Sequence, residues 1–360
     1  MLLLAMSVAL FAESPTSKGT IKDVAVSADG KWVDTGVDAG VRARLKISAT
    51  GSIQYDGAPQ AAGPDGLARG WKDLLRILPL NSAGRGALIG RFGKEDFSQP
   101  FAIGADREIA SGAGGRLYLS VNQSSADTGV GNFSVRIEVL DAGQSAAQTT
   151  PFDQLPLTQT FSGLNAGTLT RIPRRVSDSQ GNAGDMVNFL VLGSEQNLRK
   201  AFEAAGWVEV DRTNRDAFVH GLIATLSKES YVEVPMSVLY LFGRPQDYGL
   251  AHAVPFAVVA ERHHLRIWKA PFDVDGQTLW VGAATHDVGF DKDNRNGGIT
   301  HKIDPDVDQE RKFIGESLDA TGLLARMAFL MPADALRDAR TATGGSFHSD
   351  GRILAILLAP

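Results

Sequence analysis

No cysteine occurs among the 360 residues. That excludes disulfides, thiol nucleophiles and thiolate metal ligands, so any metal would have to be held by histidine nitrogen or by oxygen. A basic stripe interleaved with aromatics is also missing. Lys and Arg number 36 against 41 Asp and Glu, for a net charge of −5, and no nucleic-acid partner is expected. No run is long enough and apolar enough to span a bilayer. The sequence lacks the HExxH spacing of a helix-borne zinc site and the GxSxG elbow of a serine hydrolase. What remains is an ordinary soluble composition, 43% apolar and 21% charged, with 39 glycines. It favours strands and turns over long helices, in two or three domains.

The chain opens on MLLLAMSVALFAESP, apolar from Leu2 to Ala12. This reads as the core of a signal peptide without its basic flank, with Ala9 and Ala12 as small residues suited to cleavage, or as a short apolar N-terminal tail. Residues 1–20 are therefore set apart from the fold. The expectation is an exported protein of the periplasm or cell envelope, and the absence of cysteine excludes a lipoprotein anchor.

Residues 21–140 carry short, Gly-punctuated strands. RARLKISATGSIQY sets Leu45, Ile47 and Ala49 against polar partners, and GALIGRFG, GRLYLSVNQ and GNFSVRIEVL repeat the alternation. Strands at regular spacing without a convincing helix predict an antiparallel β-sandwich. LARGWKDLLRIL (Leu67–Leu78) gives at most one or two helical turns.

In order, WVDTGVDAG, LKISATGSIQYDG, GPDG, GALIGRFG, GGRLYLSVN and GNFSVRI resemble the bacterial calcium-dependent galactose-binding lectins, LecA-like, over about Lys31 to Val139. The resemblance implies a sandwich with one Ca²⁺ at one end and a carbohydrate or glycolipid partner. Tyr55 stands where a backbone carbonyl would ligate the ion. The family's Asn-Asp pair falls on Asn122-Gln123, a carboxylate changed to an amide, and the following loop offers Asp127 and Thr128. The family's sugar-contacting His and Gln have no counterpart in ARGWKDLLRIL, so galactose specificity is not carried over.

Residues 141–170, DAGQSAAQTTPFDQLPLTQTFSGLNAGTLT, are poor in charge and periodicity and read as a linker, with Phe152, Leu155, Leu157 and Phe161 as possible anchors. Residues 171–360 then read as a mixed α/β domain. Val187–Leu192 is an apolar strand and Ser194 a helix N-cap. Leu198, Ala201, Phe202 and Ala205 share one helical face, Gly206 follows at C′, and Trp207–Val210 restarts a strand. This strand–helix–strand unit has neither GxGxxG nor GxxxxGK[ST] beside it, which excludes a nucleotide reading. A second helix is expected through NRDAFVHGLIATL, then strands HHLRIWKA and QTLWVGAATHDVGF. A last helix is expected with Asp304 at N-cap and Pro305 at N1, and GRILAILLAP as a closing strand.

GDMVNFLVLGSEQNLRKAFEAAGW, VPMSVLYLFGRPQDYG, RHHLRIWKA, LWVGAATHDVGF, HKIDPDVDQERKFI and SDGRILAILL resemble the LssY-like C-terminal domain, over about Arg171 to Pro360. Members of that family are often attached to membrane segments. The resemblance implies a fold and an envelope context, and nothing catalytic; docking in trans to a membrane protein, in place of the family's usual attachment, is a separate reading.

Four of the seven histidines lie between Glu261 and Ile314: His263, His264, His286 and His301. Alternation along a strand puts His264, Arg266 and Trp268 on one face and His263, Leu265 and Ile267 on the other. Thr285 and Asp287 likewise share a face opposite His286. The candidate site is His264, Asp287, His301 and Asp304 in one pocket, with Arg266 at its rim. Two imidazoles and two carboxylates suit a divalent ion that activates water. Without metal, His264, Asp287 and His301 would do acid–base work while Arg266 clamps a phosphate. Equally, Asp304, Asp306 and Asp308 are what a helix start favours by itself, and a buried His–Asp pair can be purely structural. Three functions follow: a hydrolase with a carbohydrate-docking domain, a non-catalytic glycan-binding module, and a structural partner of a membrane protein.

Overall fold

In the computed structural model, which describes residues 14–68, 78–145, 150–210, 237–253, 261–292 and 299–360, the alternating patterns become strands. The first half holds β1 (Ile21–Ser27), β2 (Val33–Ala39), β3 (Arg44–Tyr55), β4 (Leu88–Phe92), β5 (Phe101–Ala102), β6 (Asp106–Ala110), β7 (Gly115–Val121) and β8 (Gly129–Asp141). They form two four-stranded sheets, ordered β1-β8-β3-β6 and β2-β7-β4-β5, with antiparallel pairing. On β3, Leu45, Ile47, Ala49, Ile53 and Tyr55 are buried, while Arg44, Lys46, Thr50 and Gln54 are exposed. Leu45, Ile47, Phe133 and Ile137 of one sheet share a core with Val37, Leu88, Leu117 and Leu119 of the other. Each such side chain stabilises the fold by roughly 1.5–3 kcal/mol.

The second half is built on a mixed sheet. Its strands are β9 (Leu157–Thr158), β12 (Phe189–Leu192), β13 (Val208–Glu209), β16 (Tyr248–Ala253), β17 (Glu261–Val274), β18 (Gln277–Lys292), β19 (Ile299–Ile303), β20 (Leu324–Leu330) and β23 (Ile353–Leu358). The order is β13-β16-β17-β18-β12-β23-β20-β9, with β19 also paired to β18. Only β12–β23 and β9–β20 are parallel among these described pairs. Short strands β10 (Arg175–Ser177), β11 (Ala183–Met186), β14 (Tyr240–Leu241) and β15 (Arg244–Pro245) make a small second sheet, and β21 (Asp338–Arg340) pairs with β22 (Ser346–His348). Strand makes up 47% and helix 10% of the described residues.

Its helices are α1 (Ala166–Leu169), α2 (Glu195–Ala204) and α3 (Val307–Asp319). Ser194 caps α2 by accepting from Asn197 N at 3.2 Å. Leu198, Ala201 and Phe202 are its buried face, and Gly206 follows at φ +83°, the left-handed geometry that ends a helix. α3 begins two residues later than expected. Its N-cap is Asp306, which accepts from Asp308 N, while Asp304 accepts from Asp306 N at 2.9 Å. The Asp-rich stretch offered several competing caps, and the turn before the helix took the first of them.

Strand parity divides the sheet. Phe189, Val191, Leu265, Ile267, Trp280, Leu354 and Ile356 pack on the face that carries α2 and α3. Leu190, Leu192, Trp268, Val281, Ala283, Ile353 and Ala355 pack on the opposite face. β17 and β18 form one long hairpin that turns at Asp275 and Gly276, both at positive φ (49° and 75°), as a two-residue hairpin loop requires.

The stretch expected as a contact-poor linker is different over its second part. Phe152 and Leu155 lie in the helix-face core, β9 adds a parallel strand to the edge of the sheet, and Phe161, Leu164 and Leu169 fill the opposite core. Phe152, Leu155 and Phe161 are among the anchors the sequence suggested, while Leu164 and Leu169 had no such signal. The expected helix in NRDAFVHGLIATL, most of LARGWKDLLRIL and the apolar start of the chain lie outside the described residues. Between the halves, Phe97 meets Phe313 edge-on with ring centroids 5.8 Å apart, and Gln99 Nε2 lies 3.1 Å from His252 Nε2.

Candidate functional site

The two neighbouring histidines of β17 serve opposite faces of the sheet. In the hairpin register His263 pairs with His286, His264 with Thr285 and Arg262 with Asp287. This sets Asp287 diagonally beside His264 on the face away from the helices. His264 Nε2 lies 2.8 Å from Asp287 Oδ1, and Thr285 Oγ1 is 3.2 Å from the same nitrogen. Both members of the pair are buried, Asp287 at 1% exposure and His264 at 8%. With Nε2–H donated to the carboxylate, the imidazole lone pair sits on Nδ1. That atom is buried and has no hydrogen-bond partner among the described residues.

Two positions along the same face, Arg266 donates to Ser237 O at 3.1 Å and pairs with Asp185 Oδ2 at 3.4 Å. Arg266 is only 6% exposed. It is therefore an interior cation on the face of the His–Asp pair and not the rim residue expected.

On the helix face a second polar group assembles. His263 Nδ1 is 2.6 Å from Glu310 Oε2 of α3. The His263 ring is stacked between His286 (centroids 4.2 Å) and Phe313 (3.7 Å), with His252 edge-on at 6.3 Å. Burial pushes the Glu310 carboxyl up to about 8. Burial, aided by neighbouring His264, pushes His263 down to about 4. Burial and then His263 lower His286 as well. This is a desolvated, largely uncharged cluster in which Glu310 keeps its proton and shares it with His263.

Of the expected four, His264 and Asp287 are in contact. Asp304 is not with them: its N–H donates to His286 O at 2.7 Å, and its carboxylate is spent on the turn before α3. His301 lies in β19, in register with Phe290, and its side chain lies outside what the structure describes. Among the described residues no three His, Asp or Glu side chains are grouped to hold a metal ion. His264, Asp287 and Asp304 are thus not a ready-made metal centre.

The four candidate calcium residues do meet at one end of the first-half sheets, with their donors already committed. Tyr55 OH donates to Gln123 Oε1 at 2.9 Å. The Tyr55 carbonyl accepts from Gln54 Nε2 at 3.0 Å and Ala58 N at 3.1 Å. Asp127 Oδ2 accepts from Ser124 N and Oγ at 2.8 and 2.9 Å, and Oδ1 lies 2.9 Å from Arg85 Nη2. Thr128 Oγ1 donates to Asp56 at 3.3 Å. Ca²⁺ takes six to eight oxygens, charged ones among them. Here the buried carboxylate already has a cation, and the residues do not fit the ion.

The sequence reading missed Arg85, His252, Asp185 and Glu310. Glu310 had a signal: it falls on the buried stripe Val307, Glu310, Arg311, Ile314, Leu318 of α3, where an acid needs a partner. His252 needed the β16–β17 pairing that sets it opposite His263. Arg85 and Asp185 had no local signal.

Residues 169–353, more than half of the chain, match the family described as LssY C-terminus, and the chain belongs to that family. Among solved structures it is similar to one described as "EclA N-terminal domain; PllA-like lectin". The identity is 20% and the TM-score 0.26, with 33% of this chain and 95% of that chain covered. The comparison with curated proteins found no match.

Proposed function

We propose that the second half is a hydrolytic acid–base site in which His264 is the general base and Asp287 its orienting carboxylate. The observation that carries this is the 2.8 Å contact between His264 Nε2 and Asp287 Oδ1, with Nδ1 left without a partner among the described residues. Asp287 holds the tautomer and stabilises the imidazolium that forms when Nδ1 takes a proton from water. Arg266, on the same face, supplies positive charge toward an anionic substrate group such as a phosphoryl. A divalent ion would need His301 as a further ligand beside His264, and the proposed chemistry does not depend on one.

For the first half the reading is a β-sandwich that docks carbohydrate or glycolipid, in a two-domain protein exported to the cell envelope. Supporting it are the order of the six lectin-like sequence pieces, the two sheets sharing one core and the apolar start of the sequence. Among the described residues no helix is long and apolar enough to cross a membrane. The competing reading, a structural His–Asp pair in a non-catalytic module, is favoured by the depth of burial of Asp287. Assaying the full chain, His264→Ala and Asp287→Asn on phosphoester, glycoside and carboxylester chromogens separates them. Activity in the wild type that both substitutions remove, with melting temperature kept, supports the acid–base reading. Unfolding of both variants, or no hydrolysis by the wild type, supports the other.

A further inference from the structure

We propose that Arg85 is the resident cation of the first half's sheet end, and that this end is built and held without calcium. Arg85 Nη2 meets Asp127 Oδ1 at 2.9 Å with side-chain exposures of 9% and 3%, and its guanidinium lies 3.9 Å over the Tyr55 ring. Asp127 closes the Ser124–Thr128 turn through its other oxygen. Tyr55 is tied to Gln123, and Gln123 Nε2 donates to Ala28 O at 3.1 Å. One planar cation therefore joins three pieces of chain: the end of β3, the loop before β4 and the turn before β8. A divalent ion would join the same pieces through oxygen, but a guanidinium does it covalently fixed, with Nη2 on the carboxylate and a flat face over the ring.

The replacement is chemically consistent along the whole site. A calcium centre needs several charged oxygens. Here Gln123 supplies a neutral amide that accepts from the Tyr55 hydroxyl, and Asp127 already faces Arg85. Adding Ca²⁺ would place a double charge beside a buried guanidinium, which the site resists by repulsion. A ligand at this sheet end meets a fixed guanidinium and a tyrosine ring in place of an exchangeable ion.

The test uses the full chain. Melting temperature is followed in EDTA and in millimolar CaCl₂, with calorimetry of the same titration, for the wild type, Arg85→Ala, Asp127→Asn and the double variant. The wild type should show no calcium heat and no shift. Each single substitution should lower the melting temperature by on the order of 5 °C or more, because each strands a buried charge or its partner. The double variant should lose no more than the worse single, since the two residues act as one pair. A calcium-dependent rise in the wild type overturns the proposal, as do strictly additive losses. Should Arg85→Ala not fold, Arg85→Lys keeps the charge and loses the planar guanidinium and its contact with the Tyr55 ring. A lowered melting temperature without calcium response then supports the proposal, and an unchanged one overturns it.

Discussion

Glu310 and His263 show what one buried contact does to the pH dependence of the molecule. The folded carboxyl titrates at about 8, above its unfolded value of about 4.3. The unfolded chain therefore gives up this proton first, and stability falls as pH rises between those values. His263 titrates at about 4 when folded, below its unfolded value of about 6.5, so its contribution is lost as pH falls from 6.5 toward 4. The two trends oppose each other up to pH 6.5, and above it only the Glu310 loss remains. Glu310→Gln imitates the protonated acid. The urea midpoint of the wild type should drop between pH 6.5 and 8 by more than that of the variant; equal drops would remove Glu310 as the cause. At this scale the sequence disclosed the parity of His263 and His264 and the proximity of His264 to Asp287. It did not disclose Arg85 or Asp185, because their partners, Asp127 and Arg266, lie far away in sequence and such pairs leave no periodic trace.

Among the elements, the β17–β18 hairpin carries both polar clusters, and its packing depends on one glycine. A Cβ on Gly282 would stand 2.0 Å from Cζ of Phe189, whose ring occupies the space a side chain would take. Gly282→Ala should therefore destabilise the protein by about 1–3 kcal/mol, measured by denaturant unfolding. A loss within a few tenths would mean that the Phe189 ring moves aside at little cost. Removing the α2 cap by Ser194→Ala should cost roughly 1 kcal/mol in the same measurement; no loss would mean that the 3.2 Å bond to Asn197 N adds nothing to α2. Elements with a strong local signature were legible: the cap, the Leu198–Phe202 stripe, the closing apolar strand. The Asp275-Gly276 turn, which joins two stretches read separately as strands, was not read from the sequence. The start of α3 was misplaced because Asp304 and Asp306 are equivalent as caps by local chemistry, and the packing of the preceding turn chose between them.

In the molecule as a whole, the family match begins at residue 169, yet the sheet it belongs to takes its β9 edge from residues 157–158. Phe152 packs edge-on to Phe329 at 5.2 Å. A fragment of residues 151–360 should fold, and one of residues 171–360 should be insoluble or melt well below it, since it loses Phe152, Leu155, Phe161 and Leu164 from two cores. Equal melting would return this stretch to the role of a linker. The abundance of strand was readable from periodicity and composition. The contact between the two halves through Phe97, Gln99, His252 and Phe313 was not, because it joins residues far apart in sequence and exposed in neither pattern.

The most direct test of the acid–base reading is the hydrolysis rate of the full-length protein on phosphoester, glycoside and carboxylester chromogens, compared with Asp287→Asn. The account predicts measurable turnover by the wild type. In the variant kcat should fall by roughly 10²-fold or more, with a smaller change in KM and the fold retained, because His264 loses the carboxylate that orients it. An unchanged kcat in a folded Asp287→Asn protein would contradict it.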